Sequence, residues 1–92
     1  MAAKEKPLKD RFAAAKGRVE KLSKRPSNEQ LLQLYAFYKQ ASEGDASGDR
    51  PGLLDIKGRA KYDAWARCKG QSADEAMKKY VALVDQLEAE LG

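Results

Sequence analysis

Apolar residues in this chain recur at spacings of three and four in four separate runs, and they nowhere alternate with polar ones. A strand needs a period of two, whereas these spacings place each run on one face of a helix. The first run is Leu8, Phe12, Ala15, Val19 and Leu22, and Pro26 is its expected stop. Lys24 and Arg25, just before it, read as charges favourable to a helix C-terminus. The second run opens with Ser27-Asn28-Glu29-Gln30, a serine followed three residues later by glutamine. That is a capping box. Leu31, Leu34, Tyr35 and Tyr38 continue along one face, with Leu32 and Phe37 at its flanks and Gly44 as the stop.

The third helix is expected from about Asp55 to Gly70, with Ala60 and Ala64 small enough for close helix contact. Lys57, Lys61 and Trp65 are spaced by four and line one side of it. A second capping box, Ser72-Ala73-Asp74-Glu75, opens the fourth run, and Ala76 or Met77, Tyr80, Val84, Leu87 and Leu91 carry its stripe. Residues 45–55 hold two glycines and one proline and read as a loop. Leu53 and Leu54 are expected to tuck that loop against the core. Helix links in small bundles usually run about 2–8 residues. A longer crossing lets neighbouring helices run parallel. The fold class is therefore all-α, a four-helix bundle with a long connection between its second and third helices.

A chain of 92 residues makes one domain, here residues 8–92 behind a solvated tail at 1–7. It buries one modest core and leaves little room for an enclosed active site. The chain has no histidine, which removes the commonest neutral-pH acid/base group, the commonest zinc ligand and any Ser/His/Asp arrangement. Asp45, Ser47 and Asp49 resemble the start of a calcium loop, but Arg50 replaces its glycine and Ile56 its closing glutamate. No metal, cofactor or catalytic activity is expected. Cys68 is the single cysteine and has no activating neighbour, so it reads as a small buried hydrophobe. A chain without an internal disulfide fits a reducing compartment, here the cytoplasm. No apolar run reaches the roughly 18 residues of a membrane span, and Met1–Pro7 lacks the apolar stretch of a secretory signal.

The net charge of +4 favours anionic partners. The cations are interleaved with acids rather than concentrated, which argues against a nucleic-acid binder. Tyr35, Tyr38 and Lys39 share one helix face at i, i+3 and i+4. Two phenols and an ammonium suit a phosphate joined to an aromatic base. Taken singly, these tyrosines read as core-edge aromatics, and Lys39 and Lys61 as solvated charges. Their joint order carries more. Tyr35-x-x-Tyr38-Lys39-Gln40-Ala41, Gly44-Asp45, Arg50-Pro51-Gly52 and Asp55-x-Lys57-Gly58-x-Ala60-Lys61-Tyr62-Asp63-Ala64-Trp65 follow one another. Lys69-Gly70 and Ala76-Met77-x-x-Tyr80 complete the series.

This series resembles the acyl-coenzyme A-binding protein family over nearly the whole chain. The resemblance implies a small four-helix bundle with an overhand link between helices two and three. It also implies non-catalytic binding, buffering and transport of medium- and long-chain acyl-coenzyme A. By the same resemblance, Tyr35, Lys39 and Lys61 contact the ribose 3′-phosphate, Tyr38 lines the adenine site, and Tyr80 is a further ligand contact. Leu31, Leu32 and Leu34 match positions near the acyl groove. Tyr62 departs from the family, which has tryptophan there. Expected partners are the long-chain ester and enzymes that use it, with a monomer and no nucleic acid or stable membrane insertion. Two other classes, a helical protein-interaction module using the Leu/Tyr face and a nucleic-acid-binding module, compete with this reading.

Overall fold

The computed structural model describes residues 6–92. The helices are α1 (Leu8–Glu20), α2 (Asn28–Glu43), α3 (Ile56–Ala66) and α4 (Ala73–Leu91), with no strand among the described residues. Residues 1–5 of the expected tail lie outside that range, and Lys6 and Pro7 are exposed.

Both capping boxes form. The Ser27 hydroxyl accepts the Gln30 N–H at 3.1 Å, and the Gln30 side chain accepts the Ser27 N–H at 2.9 Å. Ser72 and Glu75 repeat the exchange at 3.1 and 2.9 Å. Each box satisfies two N–H groups that the first turn leaves unpaired. Gly44 ends α2 at φ 83°, a left-handed conformation in which a side chain is strained. α1 stops at Glu20, well before Pro26. Leu22 still packs on the core from the turn that follows. Lys24 and Arg25 are therefore not at a helix end, contrary to the sequence expectation. α3 likewise closes at Ala66, and turns carry the chain to Gly70.

α4 packs against both α1 and α2, and α2 also packs against α3. The helices thus lie in the order α1, α4, α2, α3. The main core joins Phe12 and Ala15 to Leu34, Met77, Tyr80, Val84 and Leu87. A smaller cluster of Ala36, Ala64 and Cys68, flanked by Leu32 and Phe37, holds α3 to α2. Arg18 ties α1 to α4 through Glu88, at 3.0 Å from its Nε, and through Asp85. The molecule measures 15 Å in its thinnest direction. The other two dimensions are 50 and 29 Å, so the fold is flattened.

The long loop is held by polar contacts. Arg50 makes paired bonds to the Asp63 carboxylate at 2.8 and 2.7 Å. Tyr62 donates to the Gly48 carbonyl at 3.1 Å, and the Trp65 indole N–H donates to the Gly44 carbonyl at 2.7 Å. Leu53 and Leu54 are 79% and 99% exposed, so the expected hydrophobic tuck does not occur. The bonds from α3 fix the loop backbone and leave those leucines outside. No helix among the described residues is long and apolar enough to cross a membrane.

Candidate functional site

An open cavity of about 500 Å³ lies along the seam between the start of α2 and the start of α3. Leu31, Leu32 and Tyr35 line it from α2, and Ile56, Ala60 and Lys61 from α3. Ile56 is 77% exposed, which gives the groove an apolar rim. Arg25, Asn28 and Lys57 add polar groups, and Arg25 is held to the Asn28 side chain at 3.1 Å. Lys61 places its ammonium 5.4 Å from the centre of the Tyr35 ring. Cation and phenol from two helices therefore meet at the edge of an apolar trough.

The remaining sequence-predicted residues surround this seam in separate groups. Tyr38 stacks on Phe12 at 6.1 Å, and Tyr80 meets the edge of Phe12 at 5.1 Å. Tyr80 is 6% exposed, and burial pushes its phenol above the usual value. Its ring is therefore core, and only its polar end is suited to a ligand. Lys39 pairs with Glu43, which raises its pKa, and lies 4.8 Å from the Trp65 ring centre.

Leu34 departs from the sequence expectation. It is 5% exposed and belongs to the main core, not the groove. Two residues along a helix turn the side chain by about 200°, because each residue advances about 100°. Leu32 and Leu34 therefore face opposite ways. Sequence reasoning also missed Ile56, Arg25 and Lys16. Ile56 follows the Asp55 cap and sits off every core stripe, so periodicity gave it no role. Lys16 lies 5.1 Å from the Tyr38 ring centre and 5.3 Å from that of Phe12. Its spacing of four from Phe12 is the signal that would have found it.

At the groove a phenol, Tyr35, and a cation, Lys61, stand beside an apolar trough. No cluster of three histidine, cysteine or acidic side chains suited to a metal occurs among the described residues. Cys68 is 4% exposed, and burial raises its thiol pKa, which disfavours the nucleophilic thiolate.

Four helices in a flattened bundle, carrying a cation-rimmed apolar groove, define a class of small helical proteins with a surface suited to an anionic amphiphile. The chain belongs to the acyl-CoA-binding protein family, whose profile, described as "Acyl CoA binding protein", matches residues 9–84. It is 48% identical over 82 residues to the acyl-CoA-binding protein homolog of Drosophila melanogaster, covering 89% of this chain and 95% of that one. It is 50% identical over 86 residues to the homolog from Manduca sexta, covering 92% and 96% respectively. Among solved structures, the crystal structure of Oryza sativa acyl-CoA-binding protein 2 superposes with a TM-score of 0.86 at 40% identity, covering 90% of each chain. The solution structure of the yeast acyl coenzyme A binding protein gives 0.64 at 43% identity, covering 91% of this chain and 93% of that one.

Proposed function

We propose that this protein binds medium- and long-chain acyl-coenzyme A esters, buffers and carries them, and performs no chemistry on them. The observation that carries this reading is Lys61 over Tyr35 at the edge of the trough formed by Leu31, Leu32 and Ile56. Coenzyme A brings a ribose 3′-phosphate, a pyrophosphate and an adenine, and the acyl chain is purely apolar. One surface must therefore offer cations and phenols beside apolar side chains. Tyr35, Lys39 and Lys61 take the 3′-phosphate, and Lys39 exchanges Glu43 for it. Tyr38 takes the adenine, with the Tyr80 hydroxyl as a further contact, and Leu31 and Leu32 take the acyl chain. Family membership supports this reading over an interaction module or a nucleic-acid binder.

The absence of histidine from the sequence and the buried, raised Cys68 thiol support carriage without hydrolysis. Incubation with palmitoyl-coenzyme A should release no thiol above the uncatalysed rate. The reading extends to a cytoplasmic monomer of one domain that hands its ester to enzymes using it. Calorimetric titration tests the head-group assignment. A charge-assisted contact contributes roughly 1.5–3 kcal/mol, so the 3′-dephospho ester should bind about tenfold or more weaker. In Lys61→Ala the gap between the two esters should narrow. An unchanged gap would remove Lys61 from the phosphate site, and failure of the parent ester to bind would remove the function.

A further inference from the structure

A second cavity, of about 700 Å³, lies on the other side of Leu32 from the groove. Its floor is apolar, formed by Leu32, Ala36, Phe37, Ala64 and Cys68. Leu32 lines both cavities. Along α3, Ala60 belongs to the first cavity, whereas Ala64 and Cys68, spaced by four, belong to the second. The two spaces therefore succeed one another along α3 and lie on adjacent faces of α2, with the Leu32 side chain lining both. Leu32 is only half-buried and packs against the small Ala36/Ala64/Cys68 cluster rather than the main core. A leucine in that position has other staggered rotamers within reach.

We propose that this rear cavity takes the distal end of acyl chains too long for the front groove, with Leu32 as the movable partition between the two. The proposal rests on the ester-binding reading above. Continuity through Leu32 selects the occupant, since a chain already lying on Leu31 and Leu32 reaches the rear space first. The apolar floor residues carry no charge, and the Gln71 side-chain oxygen is a buried polar atom beside them. The charged lining residues, Glu29, Arg67 and Lys79, are exposed. The Arg67 and Lys79 stems can cover methylenes while their charges stay in water. Each methylene that finds such cover strengthens binding roughly fourfold.

Alanine-methyl NMR on the unmodified protein tests this. Ala60 reports the front groove, and Ala36 and Ala64 report the rear cavity. Octanoyl-coenzyme A should shift Ala60 alone, whereas docosanoyl-coenzyme A should shift Ala36 and Ala64 as well. If Ala60 responds to both esters and the rear methyls stay silent, the inference fails and the ester-binding reading stands. Silence everywhere sinks the ester-binding reading itself. Equal rear shifts with octanoyl and docosanoyl esters would mean the helix pair relays a change without being occupied, and would also overturn the proposal. Gln33 is exposed and borders the rear cavity, so Gln33→Trp can fill it without disturbing the core. That variant should weaken docosanoyl-coenzyme A on the order of tenfold, about two methylenes returned to water, and leave octanoyl-coenzyme A unchanged. Equal loss for both esters counts against it.

Discussion

Lys39 shows how a single side chain sets a competition. Its ammonium is paired with Glu43 one turn along α2, and that contact raises its pKa. A lysine already charged at neutral pH gains nothing there from a further rise, so the pair acts through electrostatics and not through proton uptake. A phosphate at Lys39 must displace or share with the carboxylate. An i,i+4 pair on a helix contributes about 0.3–0.5 kcal/mol, so Glu43→Gln should tighten the phosphorylated ester by about twofold. The 3′-dephospho ester should not change, and titration of both against both proteins measures the difference. Equal tightening of the two ligands would mean that Glu43 repels the whole molecule and does not hold Lys39 back. At this scale the sequence was partly legible. Tyr35 and Lys61 were identified through ordered motifs, and the structure brings them into contact. Leu34 was misplaced because a run of adjacent leucines spans a wide arc of the helix. Only the positions of α1 and α4 decide which part of that arc is core.

The elements follow their caps where those caps are local. Both serine boxes, the Gly44 stop and the existence of each helix were readable, because each depends on residues within one turn. The end of α1 was not, since Pro26 forbids a helix at its own position and does not oblige one to reach it. The conformation of the long loop was also hidden. It depends on Arg50 finding Asp63 and Trp65 finding the Gly44 carbonyl, pairings of distant residues that no periodicity encodes. α3 offers a test of local logic. Its cap is Asp55, which accepts the Gly58 N–H at 3.0 Å, and a Cβ on Gly58 would overlap that carboxylate. Glycine to alanine inside a helix normally stabilises by about 1 kcal/mol, and losing a cap costs about the same. Gly58→Ala should thus be near neutral in the natural chain and stabilising by about 1 kcal/mol beside Asp55→Ala. Urea unfolding of the two single variants and the double variant reads the coupling, and additivity would show that the carboxylate moves aside without loss. The junction after α3 adds a pH dependence. The Asp45 carboxylate accepts N–H bonds from Gly70 and Gln40, at 2.9 and 2.8 Å, and these hold its pKa below the ordinary 3.8. A folded-state pKa below the unfolded one gives stability that is present above pH 3.8 and is lost as pH falls through the folded value. Asp45→Asn should therefore lower the urea midpoint at neutral pH and narrow the drop between neutral pH and about pH 3. An undiminished drop would place the acid sensitivity in Asp63, Glu75 or Glu88, whose pKa values are also lowered.

The whole molecule is flattened, and the groove between α2 and α3 is an open one. Four amphipathic stripes and a modest length made the all-α class of fold legible. The groove itself was not, because it arises between α2 and α3, and spacing within either helix does not give how the two sit against each other. An open groove has an energetic signature. Each methylene contributes about 0.8 kcal/mol only while it is covered, and ordering a flexible chain offsets part of that gain. Affinity should therefore rise from octanoyl- to palmitoyl-coenzyme A, and beyond that only for as many methylenes as the rear cavity covers. Unacylated coenzyme A should bind far more weakly, and free palmitate should scarcely bind because it lacks the phosphate anchor. Melting temperatures should follow the same order, since a ligand that binds only the folded state adds RT ln(1 + [L]/Kd). At about a hundredfold excess over Kd that is roughly 2.7 kcal/mol. For a domain of about this size each kcal/mol raises Tm by roughly 4–8 °C, which gives a rise of about 10–20 °C with palmitoyl-coenzyme A. Thermal melts with each ligand at one fixed concentration make the comparison. Equal rises for octanoyl, palmitoyl and unacylated coenzyme A would mean that the Leu31/Leu32/Ile56 trough is not an acyl site, and that the head group alone does the binding.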